Sequence, residues 1–127
     1  MSGWSGSDDQ RSLEALQLSV QLGCNFLDSA WAYGEGRSDA LLGETLKRNP
    51  AKQILAASKV PPKNRRWPAM GTLSEAFPAE YVFESVENIR QKIGTDTIDL
   101  LQYHVWDDSW TDDPDFLNTV EALKARK

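Results

Sequence analysis

Ten consecutive residues decide the fold class of this chain: Asn25-Phe26-Leu27-Asp28-Ser29-Ala30-Trp31-Ala32-Tyr33-Gly34. A short apolar run ends at Asp28, and Tyr33 follows five positions later. Two more apolar runs end in the same way, residues 54–58 at Lys59 and residues 98–103 at His104. An acid, a phenol, an ammonium and an imidazole are therefore predicted at the C-terminal ends of three strands. In a parallel α/β sheet these ends share one face, and active sites form there.

Helical patterns alternate with the three runs. Apolar residues at helical spacing, ended by glycine or proline, predict helices over residues 9–22, 39–48 and 78–93 and a last helix from about Phe116. The three apolar runs predict strands over residues 25–28, 53–58 and 98–103. Ser38 is the expected N-cap of the second helix. Strands joined by helices predict a parallel sheet with right-handed crossovers. Such a sheet needs cover on both faces, so we expect residues 1–127 to form part of a larger domain.

Composition limits the possible function classes. The 127 residues carry 14 basic and 19 acidic side chains, a net charge of −5, which argues against a nucleic-acid partner. The single cysteine, Cys24, precludes an internal disulfide and favours a reducing compartment; we expect it to be a small buried core residue. Residues 1–7 carry no signal-like pattern, and no apolar run reaches membrane-spanning length. We therefore expect a cytoplasmic protein without a membrane partner.

The four groups at the strand ends suit protonation of a carbonyl oxygen. An ammonium such as Lys59 stabilises a phenolate and makes a nearby phenol such as Tyr33 a better proton donor. A carboxylate such as Asp28 fixes that ammonium, and an imidazole such as His104 can hydrogen-bond the substrate oxygen. Each residue alone has an ordinary structural explanation, as a cap, a solvated strand end or a core imidazole. The joint pattern predicts an active site.

The stretch from Asn25 to Gly43 closely resembles the aldo-keto reductase signature, in which an aspartate and a tyrosine five apart precede a glycine-bracketed turn and a helix with Leu-Gly. Ala-Ala-Ser-Lys59 resembles the lysine strand of that family, and Gly-Thr-Asp-Thr-Ile-Asp-Leu-Leu-Gln-Tyr-His104 resembles its histidine strand. The resemblance implies a (β/α)8 barrel that uses NADPH, without a metal, to reduce aldehydes and ketones or to run the reverse oxidation. A barrel of this type needs about 250 residues. We therefore expect a partial barrel that lacks the first strand and the C-terminal half.

The resemblance also assigns roles by matching position. Tyr33 would be the general acid, Lys59 and Asp28 its tuning pair, and His104 the group that orients a small carbonyl or alcohol substrate. Asp28 would also contact the cofactor, whose other contacts are expected in the missing half. Four tryptophans on loops at the same face could line an apolar pocket, although ordinary packing explains them equally well: Trp31, Trp67, Trp106 and Trp110.

Three other interpretations are weaker or remain open. Gly34-Glu35-Gly36 opens a helix, but Asp39 stands where a dinucleotide-binding turn has its third glycine. The acidic loop over residues 107–115 lacks the glycine and closing glutamate of a calcium loop. A non-catalytic partial barrel, acting as an interaction or regulatory module, is the alternative from a different class. The sequence leaves the substrate, the oligomeric state and the activity of the isolated chain open.

Overall fold

A computed structural model describes residues 8–126 of the chain. The chain alternates helices with strands in this order: α1 (Asp9–Gln21), β1 (Phe26–Asp28), α2 (Arg37–Arg48), β2 (Leu55–Val60), α3 (Leu73–Ala76), α4 (Ala79–Ile93), β3 (Leu100–Tyr103), a 3-10 helix (Asp108–Trp110) and α5 (Pro114–Ala125). Residues 1–7, in which the sequence shows no signal-like pattern, lie outside the described residues.

The three strands form one parallel sheet in the order β1-β2-β3. In the register, Asp28 pairs with Ala57, and Lys59 pairs with Gln102. Because paired residues in a sheet point to the same face, Asp28, Ala57, Lys59 and Gln102 share one face. The predicted parallel α/β arrangement is present, and this register decides which polar side chains can meet.

The two faces of the sheet differ in burial. One face packs against the helices, and its residues Leu27, Ala56 and Val60 belong to the hydrophobic core. The opposite face carries Phe26, Leu55 and Leu100 with 44%, 38% and 45% of their surface exposed. In the part of the chain that the structure describes, no helix covers this second face. The polar residues at the strand ends lie on the uncovered face.

A glycine allows α2 and α4 to pack closely. A Cβ atom placed on Gly43 would lie 2.0 Å from the backbone oxygen of Ile93, the last residue of α4. Non-bonded heavy atoms do not approach so closely, and here the neighbour is backbone, which cannot rotate away. Gly43 therefore sets how closely α2 and α4 pack.

Several predicted boundaries were wrong, each for a local reason. Ser38 does not cap α2: Gly36, in the left-handed conformation, is the N-cap, so the helix begins two residues earlier than predicted. The last helix begins at Pro114 because the Asp113 side chain accepts a hydrogen bond from the backbone N–H of Asp115. The short helix α3, whose Thr72 and Glu75 form a capping box, lies between β2 and α4, where no helix was predicted.

Cys24 is exposed, so the prediction of a buried core cysteine was wrong. It follows the glycine turn after α1, before the buried part of β1 begins, and its thiol donates to the backbone oxygen of Phe26 at 3.4 Å. Within residues 8–126, no helix is long and apolar enough to cross a bilayer.

Candidate active site

An ion pair joins the ends of β1 and β2. Lys59 Nζ lies 2.6 Å from Asp28 Oδ2 and also donates to the backbone oxygen of Ser29 at 2.8 Å. The Lys59 side chain is 14% exposed and the Asp28 side chain 46%, and a pair with one solvent-exposed partner contributes on the order of 1 kcal/mol to stability. The pair therefore has little value for the stability of the fold, and its main effect is to hold the ammonium in one place.

Tyr33 lies in a tight turn directly after β1. Glycines with positive φ angles bracket the turn, Gly34 at 72° and Gly36 at 86°, and Glu35 between them also has a positive φ of 53°. The backbone N–H of Gly36 donates to the oxygen of Trp31 at 2.8 Å, which closes the turn. This left-handed path suits glycine, and it brings the phenol back over the strand ends.

The phenol, the ammonium and the imidazole converge. Lys59 Nζ lies 5.7 Å from the centre of the Tyr33 ring, and the rings of Tyr33 and His104 meet edge to face with centroids 5.4 Å apart. The backbone N–H of His104 donates to the oxygen of Val60 at 2.9 Å, which continues the β2–β3 pairing to the histidine. The structure thus brings together all four residues predicted for the site.

The environment of His104 favours its neutral form. Burial lowers the pKa of the imidazole below its usual 6.5, and the charge of Lys59 lowers it further, whereas the charge of Asp28 acts in the opposite direction. Nδ1 of His104 is buried and has no hydrogen-bond partner within the described residues. A neutral imidazole keeps one N–H that can donate to a substrate oxygen.

We expect the chain's single histidine to titrate below pH 6.5, as followed by the pH dependence of its imidazole NMR signals. Lys59→Met should raise the pKa of His104, because the substitution removes a positive charge. An unchanged pKa in Lys59→Met would contradict the electrostatic contact. Since the unfolded chain binds more protons between the folded-state pKa and 6.5, the free energy of unfolding should rise with pH across that window.

A buried polar cluster lies beneath the ion pair. Asp39 on α2 is fully buried, and its Oδ1 accepts a hydrogen bond from the Ser58 hydroxyl at 2.8 Å. The Ser29 hydroxyl donates to Ser38 at 2.9 Å. Burial raises the pKa of Asp39, and the hydrogen bond from Ser58 partly opposes that effect. Because Ser29 and Ser58 directly adjoin Asp28 and Lys59 in sequence, the cluster ties α2 to the backbone that carries the ion pair.

The four tryptophans that were predicted to line the pocket lie in different surroundings in the structure. Trp67 meets His104 edge to face with ring centroids 4.7 Å apart, so it lies at the site. Trp31 packs against Gly36 beneath the tyrosine turn. Trp110 is buried in the core and donates to the oxygen of Gly71 at 3.2 Å, and Trp106 packs against it. The structure therefore places Trp67 beside the predicted catalytic groups, but it does not bring Trp106 and Trp110 there.

A separate apolar groove of about 1040 Å³ lies beside β3, between α4 and α5. Tyr103 lines it, with a buried hydroxyl that has no partner among the described residues, and burial raises the pKa of that phenol to about 12. None of the four predicted catalytic residues lines this groove. In the acidic loop nearby, the Asp107 side chain caps the 3-10 helix. Hydrogen bonds from Ser109 lower the pKa of the Asp107 carboxyl.

A polar contact directly at the ion pair was not predicted from the sequence. The side-chain amide of Gln102 on β3 donates to Asp28 Oδ1 at 3.3 Å. The sequence did indicate that Gln102 faces the site. It lies two positions before His104, and residues two apart on a strand point to the same face. The partner was not predictable, because it depends on the register between three strands.

The fold and site define a class: a parallel α/β protein with a tyrosine, a lysine and a histidine gathered at the strand ends. An aldo-keto reductase from Bacillus halodurans, solved in its holo form, superposes with a TM-score of 0.73 and 27% identity, over 94% of this chain and 39% of that one. The chain therefore has the fold of part of a (β/α)8 barrel, as predicted.

The model of the aldo/keto reductase family matches residues 1–127, and the chain belongs to that family. The aldo-keto reductase YhdN of Bacillus subtilis is 33% identical over 106 residues, which make up 83% of this chain and 30% of that protein. The NADH-specific methylglyoxal reductase of Escherichia coli is 25% identical over an alignment of 132 positions, gaps included, which covers 96% of this chain and 38% of that enzyme. The chain thus spans about a third of the length of these relatives.

Proposed function

We propose that the complete protein is an NADP(H)-dependent aldo-keto reductase that interconverts aldehydes or ketones and alcohols. The observation that carries the proposal is the convergence of Tyr33, His104 and the Lys59–Asp28 pair on the uncovered face of the sheet. In a family of carbonyl reductases, these are the groups that proton delivery to a carbonyl oxygen requires. A cytoplasmic location is part of the same proposal.

The described residues fit the reacting end of a nicotinamide cofactor. Asp28 and Tyr33 each keep more than two fifths of their surface exposed on the open side of the strand ends, so a flat ring can approach them. The reduced nicotinamide, when bound, supplies the hydride. Asp28 would contact the cofactor, and the remaining cofactor contacts are expected in the parts of the family's barrel that residues 1–127 do not span.

Each of the four side chains takes part in this mechanism. The neutral imidazole of His104 donates its N–H to the carbonyl oxygen and aims it at Tyr33. The Tyr33 hydroxyl transfers its proton to that oxygen as the carbonyl carbon accepts the hydride. The ammonium of Lys59 stabilises the phenolate that remains, and Asp28 keeps the ammonium in place. Trp67, edge-on to the imidazole, would form an apolar wall of the substrate pocket.

The test is turnover by the complete protein. We expect loss of reduced-nicotinamide absorbance when NADPH is mixed with a panel of aliphatic and aromatic aldehydes and ketones. NADH is the parallel arm, because a relative is NADH-specific. Faster turnover with NADH would overturn the choice of coenzyme alone. No turnover with either coenzyme across the panel would overturn the proposal and favour an interaction or regulatory module.

A further inference from the structure

Gln102 occupies an unusual position relative to the ion pair. It is the register partner of Lys59 on the neighbouring strand, so the two side chains stand side by side on the same face. Asp28 lies on β1, which is separated from β3 by β2. Two strand spacings amount to roughly 10 Å. The Gln102 side chain therefore crosses above β2 to reach Asp28, and the small Ala57 at the register position of Asp28 leaves room for it.

The two oxygens of the Asp28 carboxylate have different donors. Oδ2 accepts from Lys59 Nζ at 2.6 Å, and Oδ1 accepts from Gln102 Nε2 at 3.3 Å. A carboxylate held at one oxygen can rotate about its terminal torsion, which is broad. A second donor on the other oxygen fixes the plane of the group. Because the amide is neutral, it does this without competing for the charge of Lys59.

We propose that Gln102 is a positioning residue that orients the Asp28 carboxylate and, through it, the Lys59 ammonium beneath Tyr33. The catalytic part of this inference rests on the proposed function; the contact itself does not. Among the described residues, Asp28 from β1 contacts the amide and Lys59 from β2 stands beside it in the register. Tyr33, from the turn after β1, lies against Lys59, and His104, after β3, lies against Tyr33. A carboxylate in place of the amide would change the electrostatics of all four.

The decisive substitutions are Gln102→Leu, which removes the donor, and Gln102→Glu, which keeps the shape and adds a negative charge. In the complete protein, Gln102→Leu should lower kcat roughly tenfold while the KM for the coenzyme changes less than about twofold, because orientation and not binding is lost. Gln102→Glu should raise the pKa of His104, since a nearby negative charge disfavours proton loss. Because the mechanism uses the neutral imidazole, the acidic limb of the pH–rate profile should move to higher pH.

A matched control is available on the protein surface. Gln91 on α4 also donates its side-chain amide to a carboxylate, Glu87 Oε1, at 3.0 Å. Gln91→Leu should leave kcat, KM and the pH profile unchanged. If Gln102→Leu behaved like Gln91→Leu, with full kcat and an unaltered pH profile, the positioning role would be overturned.

A second readout needs no turnover and separates this inference from the proposed function. The side-chain amide protons of Gln102, assigned by their loss in Gln102→Leu, should shift in the NMR spectrum of Asp28→Asn, because the substitution removes the charge they donate to. Signals that do not respond would refute the contact even if the enzyme is active. A clear response would establish the contact even if no carbonyl substrate were turned over.

Discussion

Tyr33→Phe is expected to lower kcat/KM for carbonyl reduction by the complete protein roughly a hundredfold to ten-thousandfold, the range that a positioned general acid contributes. The substitution removes the single oxygen that can give its proton to the substrate. It leaves the ring that meets His104 edge to face, with centroids 5.4 Å apart. The imidazole and the Lys59–Asp28 pair should therefore stay in place, and coenzyme affinity, measured by fluorescence titration, should change less than about twofold.

Tyr103→Phe is the control for this experiment. Tyr103 directly precedes His104 but points to the opposite face of β3, where its ring stacks on Phe77 at 4.2 Å. Its hydroxyl is buried without a partner among the described residues, so its removal leaves no broken hydrogen bond there. Tyr103→Phe should keep full activity. If Tyr33→Phe kept full activity as well, Tyr33 would not be the general acid.

The placement of the four reactive groups was predictable because it depends on short-range features. Each group stands at or next to the C-terminal end of an apolar run, and parallel strands bring such ends together. Tyr33 was the less obvious member, since it lies in a turn and not in a strand. Its position depends on the left-handed backbone of Gly34 and Gly36, which the two glycines in the sequence indicate.

Contacts that depend on register and on helix packing were not predictable. Gln102 reaches Asp28 only because three strands pair in one particular alignment. Asp39 was considered only as a departure from a dinucleotide-binding turn, and its burial follows from how α2 lies against Ser58. Trp110 has the same local features as Trp67, loop position and aromatic character, yet it packs into the core. Local patterns could not separate these two tryptophans.

Gly43→Ala is expected to destabilise the fold by about 3 kcal/mol, at or above the upper end of ordinary overpacking. Alanine is favoured over glycine within a helix by about 1 kcal/mol, so propensity alone predicts a more stable protein. The added methyl group, however, would lie 2.0 Å from the backbone oxygen of Ile93 and 2.7 Å from its carbonyl carbon. Relief requires α2 to move away from α4, which removes apolar contact along both helices.

The measurement is the free energy of unfolding from denaturant titration of the complete protein, with Gly23→Ala as the control. Gly23 has a φ of +101°, and a Cβ atom there would meet nothing within 4 Å. Any loss of stability in Gly23→Ala therefore reports backbone strain without overpacking. Gly43→Ala should lower the free energy of unfolding more than Gly23→Ala does. It should also weaken turnover, since α2 carries Asp39, whose hydrogen bond to Ser58 at 2.8 Å supports the strand that carries Lys59. A Gly43→Ala protein at least as stable as the parent would mean that α2 and α4 do not approach as closely as the structure shows.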